Sequence, residues 1–495
     1  MEKQSIDELL NFINDNEDKK KDEKKDGKKE EKKEEKKEEK KEEKKEEKKE
    51  ENEKEDKKEE NDEKEGGKKK RKRKAHHKKK HNNDDKKEEI DGIRPNPYRD
   101  LFNWKEKGIE INNSRFQDNS ELRLIGNWEE KPWTQTNYPT KDIDELFPNK
   151  DWPVGILEEY SNQIWRSNDK EKMELEKLRE YDILSFRKGA ECHRQIRKYA
   201  QRIFRPGKKL LDLCIELEDM LKFITNYHGI DCGQSFPTGC SLNHVAAHYT
   251  PNAGDDTVLQ YDDVCKLDFG THINGFVIDT AFTIAFNPTY DNLLKASKEA
   301  TNQGIKLAGI DARLGEIGAG IQEVIESYEV EIKGKTYPIK PVKNLCGHTV
   351  GQYKVHAGKS VPIVKRDDNT KMEENEMYAI ETFASTGKGY VREEGECSHY
   401  MLDEYASAEK IRGDKLKALY KYIYGKYNTL AWARRWLDES DFKNISLSIR
   451  QLIDQGVVEP YPPLADVEGC YVSQFEHTFM LKPTHKEIFT VGDDY

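Results

Sequence analysis

Two aspartates interrupt apolar segments on either side of a candidate hairpin turn. Asp268 occurs in VCKLDFG and Asp279 in GFVIDTAFTIAF, with the strong turn signal Asn274-Gly275 between them. A two-residue loop there pairs Asp268 with Ala281 and places Asp279 diagonally across on the same face, roughly 7 Å away. Two such carboxylates are either satisfied by hydrogen bonds at strand ends or share a proton or cations, because buried like charges repel.

Three more polar residues stand in apolar or glycine-flanked segments. His348 lies in NLCGHTVGQYKVHAGK, Glu381 in MYAIETFAS and Glu476 in YVSQFEHTFML. Each alone is explained by a hydrogen-bonded core position. Together with the two aspartates they form an oxygen-rich set without a thiolate, which suits two divalent ions of the Mn, Fe, Co or Zn type.

These residues must be positioned by helices and strands. Some segments have helical periodicity and others have strand periodicity, which predicts a mixed α+β core. A continuous helical pattern runs over 169–203 and another over 209–228, and 138–160 reads as an extended strap. Block 403–456 has helical periodicity and no strand pattern. The remaining predicted helices cover 289–308 and 311–326, and the predicted strands lie near 258–286, 327–338, 361–364, 376–383 and 470–481.

Several long motifs resemble those of the type II methionine aminopeptidases, the eukaryotic-type enzymes. They include HYTPNAGDDTVLQYDDVCKLDFGTHINGFVIDTAFT, GHTVGQYKVHAGKSVPIVK, PYPPLADVEG and QFEHTFMLKPTHKEIFTVGDDY. The resemblance runs from about residue 138 onward. It implies a pita-bread (creatinase/aminopeptidase-like) fold with a pseudo-twofold antiparallel sheet, an extended segment over 91–165, a catalytic domain over 166–495 and a helical insertion at about 403–456.

The resemblance also implies roles for the polar set. Asp268 would bind one metal ion, Asp279 and Glu476 would bridge two, and His348 and Glu381 would complete the second site. In the family mechanism two divalent ions activate a water molecule for attack on the scissile carbonyl. Glu381 would be the general base.

Further site residues follow from the same motifs. His248 and His356 would hydrogen-bond the scissile group as non-ligand histidines. Cys346 departs from the family pattern, because a polar amide is expected at that position. The residues expected to form the methionine pocket, with the last two at its mouth, are Phe236, Val355, His399, Ala431, Tyr461 and Leu464.

The N-terminal 90 residues differ from the rest in composition. They hold 34 Lys/Arg and 33 Asp/Glu, mostly in a KKEE repeat that places like charges at i,i+4 and offers nothing to bury, so we expect a disordered tail. The acid-free run KKKRKRKAHHKKKH at 68–81 could contact ribosomal RNA, direct nuclear import or only solubilise the chain. The family resemblance adds translation initiation factor two as a possible partner.

The sequence as a whole predicts a cytoplasmic monomer without a membrane segment. No apolar run approaches a membrane span, and the eight scattered cysteines form no CxxC pair, which suits reduced thiols. The resemblance implies cotranslational removal of initiator methionine from nascent chains whose second residue is small. The alternatives are a catalytically silent pita-bread adaptor that binds RNA or ribosomes, and, within the fold, a prolidase or aminopeptidase P.

Overall fold

The computed structural model describes residues 141–438, 440–492 and 494–495. The predictions for the charged tail and for most of segment 91–165 therefore lie outside the described residues. The proposed division into tail, extended segment and catalytic domain stays a prediction.

The described helices and strands occur mostly in separate runs along the chain, as is typical of an α+β fold. The helices are α1 Ile143–Leu146, α2 Lys170–Lys177, α3 Glu180–Ile203, α4 Leu210–Ile224, α5 Asp291–Leu307, α6 Leu314–Glu326, α7 Asp414–Tyr427, α8 Arg434–Asp438 and α9 Ile445–Asp454, with short 3-10 turns at Ile164–Asn168 and Pro288–Tyr290. The strands are β1 Ile156–Glu158, β2 Cys232–Leu242, β3 Val245–Ala247, β4 Val264–Ile273, β5 Phe276–Ala285, β6 Glu329–Ile332, β7 Lys335–Pro338, β8 Lys340–Pro341, β9 Cys346–Thr349, β10 Ser360–Pro362, β11 Met377–Ser385, β12 Arg392–Glu393, β13 His399–Leu402, β14 Trp432–Ala433, β15 Val458–Tyr461, β16 Leu464–Ala465, β17 Val472–Leu481 and β18 Lys486–Ile488.

Two antiparallel sheets form the centre. One has the order β2-β4-β5, and the other has the order β1-β18-β17-β11-β9-β10 with β8 added beside β11. Helices α3 and α4 pack on the first sheet, and α5 and α6 pack on the second. This repetition of a helix pair on an antiparallel sheet gives the fold its pseudo-twofold character.

The β4–β5 hairpin has the register that the sequence predicts. Ile273 pairs with Phe276 and Asp268 pairs with Ala281. Asn274 and Gly275 have φ values of 52° and 79°, as a type I′ turn requires. A Cβ at Gly275 would lie 2.4 Å from the Tyr353 ring, so glycine is also needed for close packing.

Threonine hydroxyls join the two central sheets where β5 lies beside β17. Thr283 Oγ1 both donates to the backbone carbonyl of Gln474 and accepts from its N–H, each at 2.8 Å. Thr478 Oγ1 makes the same pair of bonds with the backbone of Asp279. The seam thus satisfies buried backbone groups that no strand ladder reaches, and it fixes β5 against β17 beside the polar residues.

Three local features differ from, or sharpen, the sequence predictions. The helix predicted over 169–203 is interrupted between α2 and α3 at Leu178, whose side chain is exposed. Block 403–456 contains three helices but also strand β14, which pairs with β13, so the expectation of no strands there was wrong. A two-residue strand is too short for a period to be recognised. The strap at 138–160 adds β1 to the edge of the larger sheet.

Candidate metal centre and active site

Five strands of the two sheets each supply one member of the predicted polar set. Asp268 lies on β4, Asp279 on β5, His348 on β9, Glu381 on β11 and Glu476 on β17. Glu381 and Glu476 face each other in the β11–β17 pairing, and His348 faces Ala379 on the other side of β11. The sheets therefore bring together residues that are up to 208 positions apart.

The polar set is arranged in two neighbouring groups. Ligand atoms of Asp279, His348 and Glu476 all lie within 4.8 Å of one another, and His348 Nε2 is 3.6 Å from Asp279 Oδ2. The Gln474 side-chain amide donates to Asp268 Oδ2 at 3.1 Å and to Glu381 Oε2 at 3.0 Å. One amide thus holds the two remaining carboxylates on the same side of the site.

Burial raises the pKa of each carboxyl in the set, and repulsion by neighbouring carboxylates raises the pKa values of Asp279, Glu381 and Glu476 further. Burial raises the pKa of Asp268 to about 6. Burial, and then the charge of Asp268, raise the pKa values of Asp279 and Glu381 well above their usual range. Burial and the charges of Asp279 and Glu381 do the same for Glu476. Such a cluster is costly to ionise without a compensating cation.

The five candidate ligands are suited to binding divalent metal ions. Asp268 Oδ1 and Glu476 Oε2 are buried and have no hydrogen-bond partner among the described residues. Buried carboxylate oxygens without a partner are uncommon, because no hydrogen bond offsets the free-energy cost of removing them from water. A carboxylate-rich set with one imidazole and no thiolate favours hard or borderline divalent ions over a structural zinc.

A cavity of about 90 Å³ opens onto these residues. Its lining contains all five candidate ligands, the two histidines predicted not to bind metal, and five of the six predicted pocket residues. The sixth, Leu464, is outside the lining, but its strand partner Ala247 is part of it. The full lining is Phe236, Pro237, Gly239, Ala247, His248, Asp268, Asp279, Leu345, His348, Val355, His356, Glu381, Phe383, His399, Met401, Ala431, Tyr461 and Glu476.

His248 has a backbone conformation that is uncommon for a non-glycine residue, with φ at 66°. Its Nδ1 is buried and has no partner among the residues that the structure describes. Burial lowers the pKa of His248 to about 4, so the imidazole is neutral at pH 7. A strained, neutral imidazole aimed into a cavity is typical of a functional site.

Three further histidines line the cavity: His348, His356 and His399. The His356 ring lies edge-on to that of His348, with centroids 4.4 Å apart. His399 and Tyr461 lie 6.0 Å and 5.7 Å from His248 between ring centroids. Burial lowers the pKa values of His356 and His399, the latter to about 3. These rings therefore offer neutral hydrogen-bonding groups beside the carboxylates.

Sequence reasoning missed several residues of the site. Gln474 was not predicted, although it shares the Glu476 face of β17 by simple alternation and could have been found from that period. Phe383 shares the Glu381 face of β11 in the same way. Pro237, Leu345 and Met401 lack such a signal, because the approach of their loops and strands to the cavity depends on the tertiary fold.

Comparison with known proteins gives the class of the protein. The model of Metallopeptidase family M24 matches residues 185–402. The chain is 52% identical over 362 residues to methionine aminopeptidase 2A of Arabidopsis thaliana, covering 73% of this chain and 82% of the relative. It is 49% identical over 365 residues to methionine aminopeptidase 2 of Schizosaccharomyces pombe, covering 74% and 86%.

A solved structure of a thermophilic Arx1 is similar in fold, with a TM-score of 0.52 and 16% identity over 61% of this chain and 88% of that chain. The fold and site thus define an M24 metallopeptidase with the pita-bread architecture, as predicted. Within that class the chain belongs to the type II methionine aminopeptidases. The prediction of an aminopeptidase that uses divalent metal is confirmed at this level. Among the described residues no helix is long and apolar enough to cross a membrane.

Proposed function

We propose that the chain removes the initiator methionine from nascent proteins whose second residue is small. The observation that carries this proposal is the meeting of five buried ligand candidates and two neutral histidines at one cavity, in a chain of the methionine aminopeptidase family. The alternative of a silent adaptor is not favoured, because a binding module has no need for a complete and electrostatically costly ligand set.

Two divalent ions are the proposed cofactors. Asp268 would hold one, Asp279 and Glu476 would lie between the two, and His348 and Glu381 would hold the other. Their close association in the structure supports this assignment. When bound, the ions supply Lewis-acid polarisation of the carbonyl and acidify a water molecule.

Side chains of the protein would transfer the proton from the attacking water to the leaving amine. Glu381 carries a raised pKa and lines the cavity, so it is suited to take a proton from water and return one to the leaving amine. Neutral His248 and His356 would donate hydrogen bonds to the carbonyl oxygen or amide of the scissile bond. Such donors stabilise charge as it develops.

The methionine side chain would occupy the apolar end of the cavity. Phe236, Val355 and Ala431 supply apolar surface there, and His399 and Tyr461 lie beside it. A thioether packs well against such a polarisable lining. Leu464 would lie at the mouth, next to the Ala247 backbone with which it pairs.

Peptide hydrolysis tests the proposal directly. Wild-type protein with added Mn²⁺ or Co²⁺ should release methionine from Met-Ala-Ser and leave Leu-Ala-Ser intact. Asp268→Ala and Asp279→Asn should abolish release, whereas Asp454→Asn, at an exposed position on α9, should not. Absence of hydrolysis by the metal-supplemented wild type would overturn the proposal.

We further propose that residues 1–90 associate the enzyme with ribosomes in the cytoplasm, where it acts as a monomer during synthesis. The basic cluster at 68–81 supports contact with RNA through phosphate neutralisation, and translation initiation factor two is a second candidate partner. Co-sedimentation with ribosomes should fall when residues 1–90 are removed and should weaken with salt. Undiminished association would remove the role assigned to the tail.

A further inference from the structure

A second cavity, of about 570 Å³, lies between α4 and the helical insertion and shares no lining residue with the active-site cavity. Leu211 and Ile215 of α4 contribute apolar surface to its lining, and Tyr427 and Trp436 of the insertion contribute aromatic rings. Cavities of this size hold small organic molecules rather than protein segments.

His272 forms part of the floor of this cavity and is only 2% exposed. Its Nδ1 accepts the backbone N–H of Gly275 at 3.3 Å, which leaves the ring proton on Nε2. Nε2 makes no hydrogen bond with any other residue in the described part of the chain. Burial lowers the pKa of His272 to about 4, so the ring is neutral at pH 7. The lining therefore contains an N–H donor on His272 that the protein itself leaves unused. Arg435, also in the lining, has a second, because its buried Nε has no hydrogen-bond partner among the described residues.

Aromatic and apolar groups surround this donor. The Tyr427 and Trp436 rings lie 5.6 Å apart between centroids, at an interplanar angle of 32°. Trp436 is fixed by its Nε1 hydrogen bond to Glu218, 2.7 Å away. Flat, rigid aromatic rings select planar ligands, because stacking on them is favourable and costs little side-chain entropy.

The charged side chains of the lining balance one another, three acidic against three basic: Glu218, Asp219 and Asp438, and Lys222, Lys426 and Arg435. Glu218 is bonded to Arg435 as well as to Trp436, so its charge is compensated within the protein. At the rim, Lys222 pairs with Asp219 at 2.9 Å. Opposite charges that compensate each other leave no net attraction for an ionic ligand.

We propose that this cavity is a binding site for a neutral planar aromatic molecule that carries a carbonyl or ring-nitrogen acceptor. The acceptor receives the hydrogen bond of His272 Nε2, and the ring packs against Tyr427 and Trp436. The site is separate from the metal centre, and ligand binding there does not require peptide hydrolysis.

A matched pair of probes tests the donor. Acetophenone has a carbonyl acceptor that ethylbenzene lacks, and the two are similar in shape. In saturation-transfer NMR titrations of the full chain, acetophenone should bind about fivefold more tightly than ethylbenzene, the effect of one neutral hydrogen bond. His272→Phe should abolish this preference. Equal binding of the two probes to the wild-type protein would overturn the assignment of His272.

A matched pair of variants tests the location. Tyr427→Ala should weaken acetophenone binding at least about fivefold, as the loss of a stacking ring predicts. Tyr424→Ala, one turn earlier on α7 at a 48% exposed position outside the cavity, should leave it unchanged. Hydrolysis of Met-Ala-Ser should persist in both variants and report correct folding. No binding to wild type, displacement by free methionine, or equal binding to both variants would refute the site.

Discussion

Glu381 and Glu476 lie directly opposite each other in the antiparallel pairing of β11 and β17. Two carboxylates in this relationship repel each other, and the charge of Glu381 contributes to the raised pKa of Glu476. A fold retains such a pair where a proton or cation lies between them. Their separate roles can be distinguished by amide substitutions, which keep the shape and remove the charge.

Glu381→Gln should lower kcat by about 10²–10⁴, the range for loss of a general base. Both substitutions should weaken metal binding, because Glu381 and Glu476 are both proposed ligands. Glu476→Gln should weaken it more, because Glu476 is proposed to contact both ions. Bound metal per chain and kcat should be measured together. Glu323→Gln, an exposed change on α6, should alter neither quantity. Full activity of Glu381→Gln would contradict its role as base.

Asp268→Asn should abolish hydrolysis while stabilising the metal-free protein at pH 8. The pKa of Asp268 is raised, so its charged form costs stability as pH rises through about 6. The asparagine avoids this cost, and the expected gain is at most about 3 kcal/mol. The gain should disappear below about pH 4, where both folded and unfolded states hold the proton. Denaturant unfolding with a chelator present, at pH 4 and pH 8, measures it. A loss of stability at pH 8 would contradict the electrostatic account.

Metal affinity should rise with pH between about 5.5 and 7.5. The metal-free carboxyls retain protons because burial raises the pKa of Asp268 to about 6 and those of its neighbours further. Metal must displace these protons, so binding is favoured as pH rises. Calorimetric titration with Mn²⁺ in two buffers of different ionisation enthalpy should reveal proton release. An affinity that does not change with pH would show that the ligands are already ionised.

His248→Ala should lower kcat by about 10²–10³, as removal of one oxyanion donor does. Metal content should not change, because His248 is not a proposed ligand. His244→Ala provides the control: His244 lies just before β3, whereas His248 lies just after it, and His244 contacts Glu394 at 3.8 Å and is absent from the cavity lining. Since the pKa of His248 is lowered to about 4, its protonation should not limit activity above about pH 5. Equal kcat values for both variants would remove the catalytic assignment.

Cys346 should remain unmodified by iodoacetamide at pH 7. Burial raises the pKa of its thiol, and the charge of Glu381 raises it further, so little of the reactive thiolate forms. Peptide mass mapping of the folded protein measures its labelling, and the unfolded chain, with all eight cysteines exposed, is the reference. Cys346→Asn should retain activity. Rapid labelling with loss of activity would show instead that the thiol is reachable beside the site.

The sequence predicted the long strands β4, β5, β11 and β17, which carry clear signals, but not β2, the third strand of the smaller central sheet. The Asn274-Gly275 turn and the alternation around Asp268 and Asp279 determine the hairpin register, which the structure confirms. The break at Leu178 lacks such a signal, since lysine, glutamate and leucine on both sides all favour helix.

The candidate site could be predicted as a set of residue types but not as a geometry. Nothing local places Gln474 between Asp268 and Glu381, because that contact needs the two sheets to meet. The threonine seam at Thr283 and Thr478 is equally non-local. A hydroxyl that bonds a distant backbone looks, in sequence, like any strand threonine.

The tight turn between β4 and β5 limits which insertions and deletions the gene can accept. Strand residues can be exchanged one at a time, but a single inserted or deleted codon between Ile273 and Phe276 shifts the register of the hairpin. Since side chains alternate with a period of two, such a shift would turn Asp279 to the opposite face of β5. Length variation among functional descendants should therefore accumulate elsewhere, in loops distant from this hairpin.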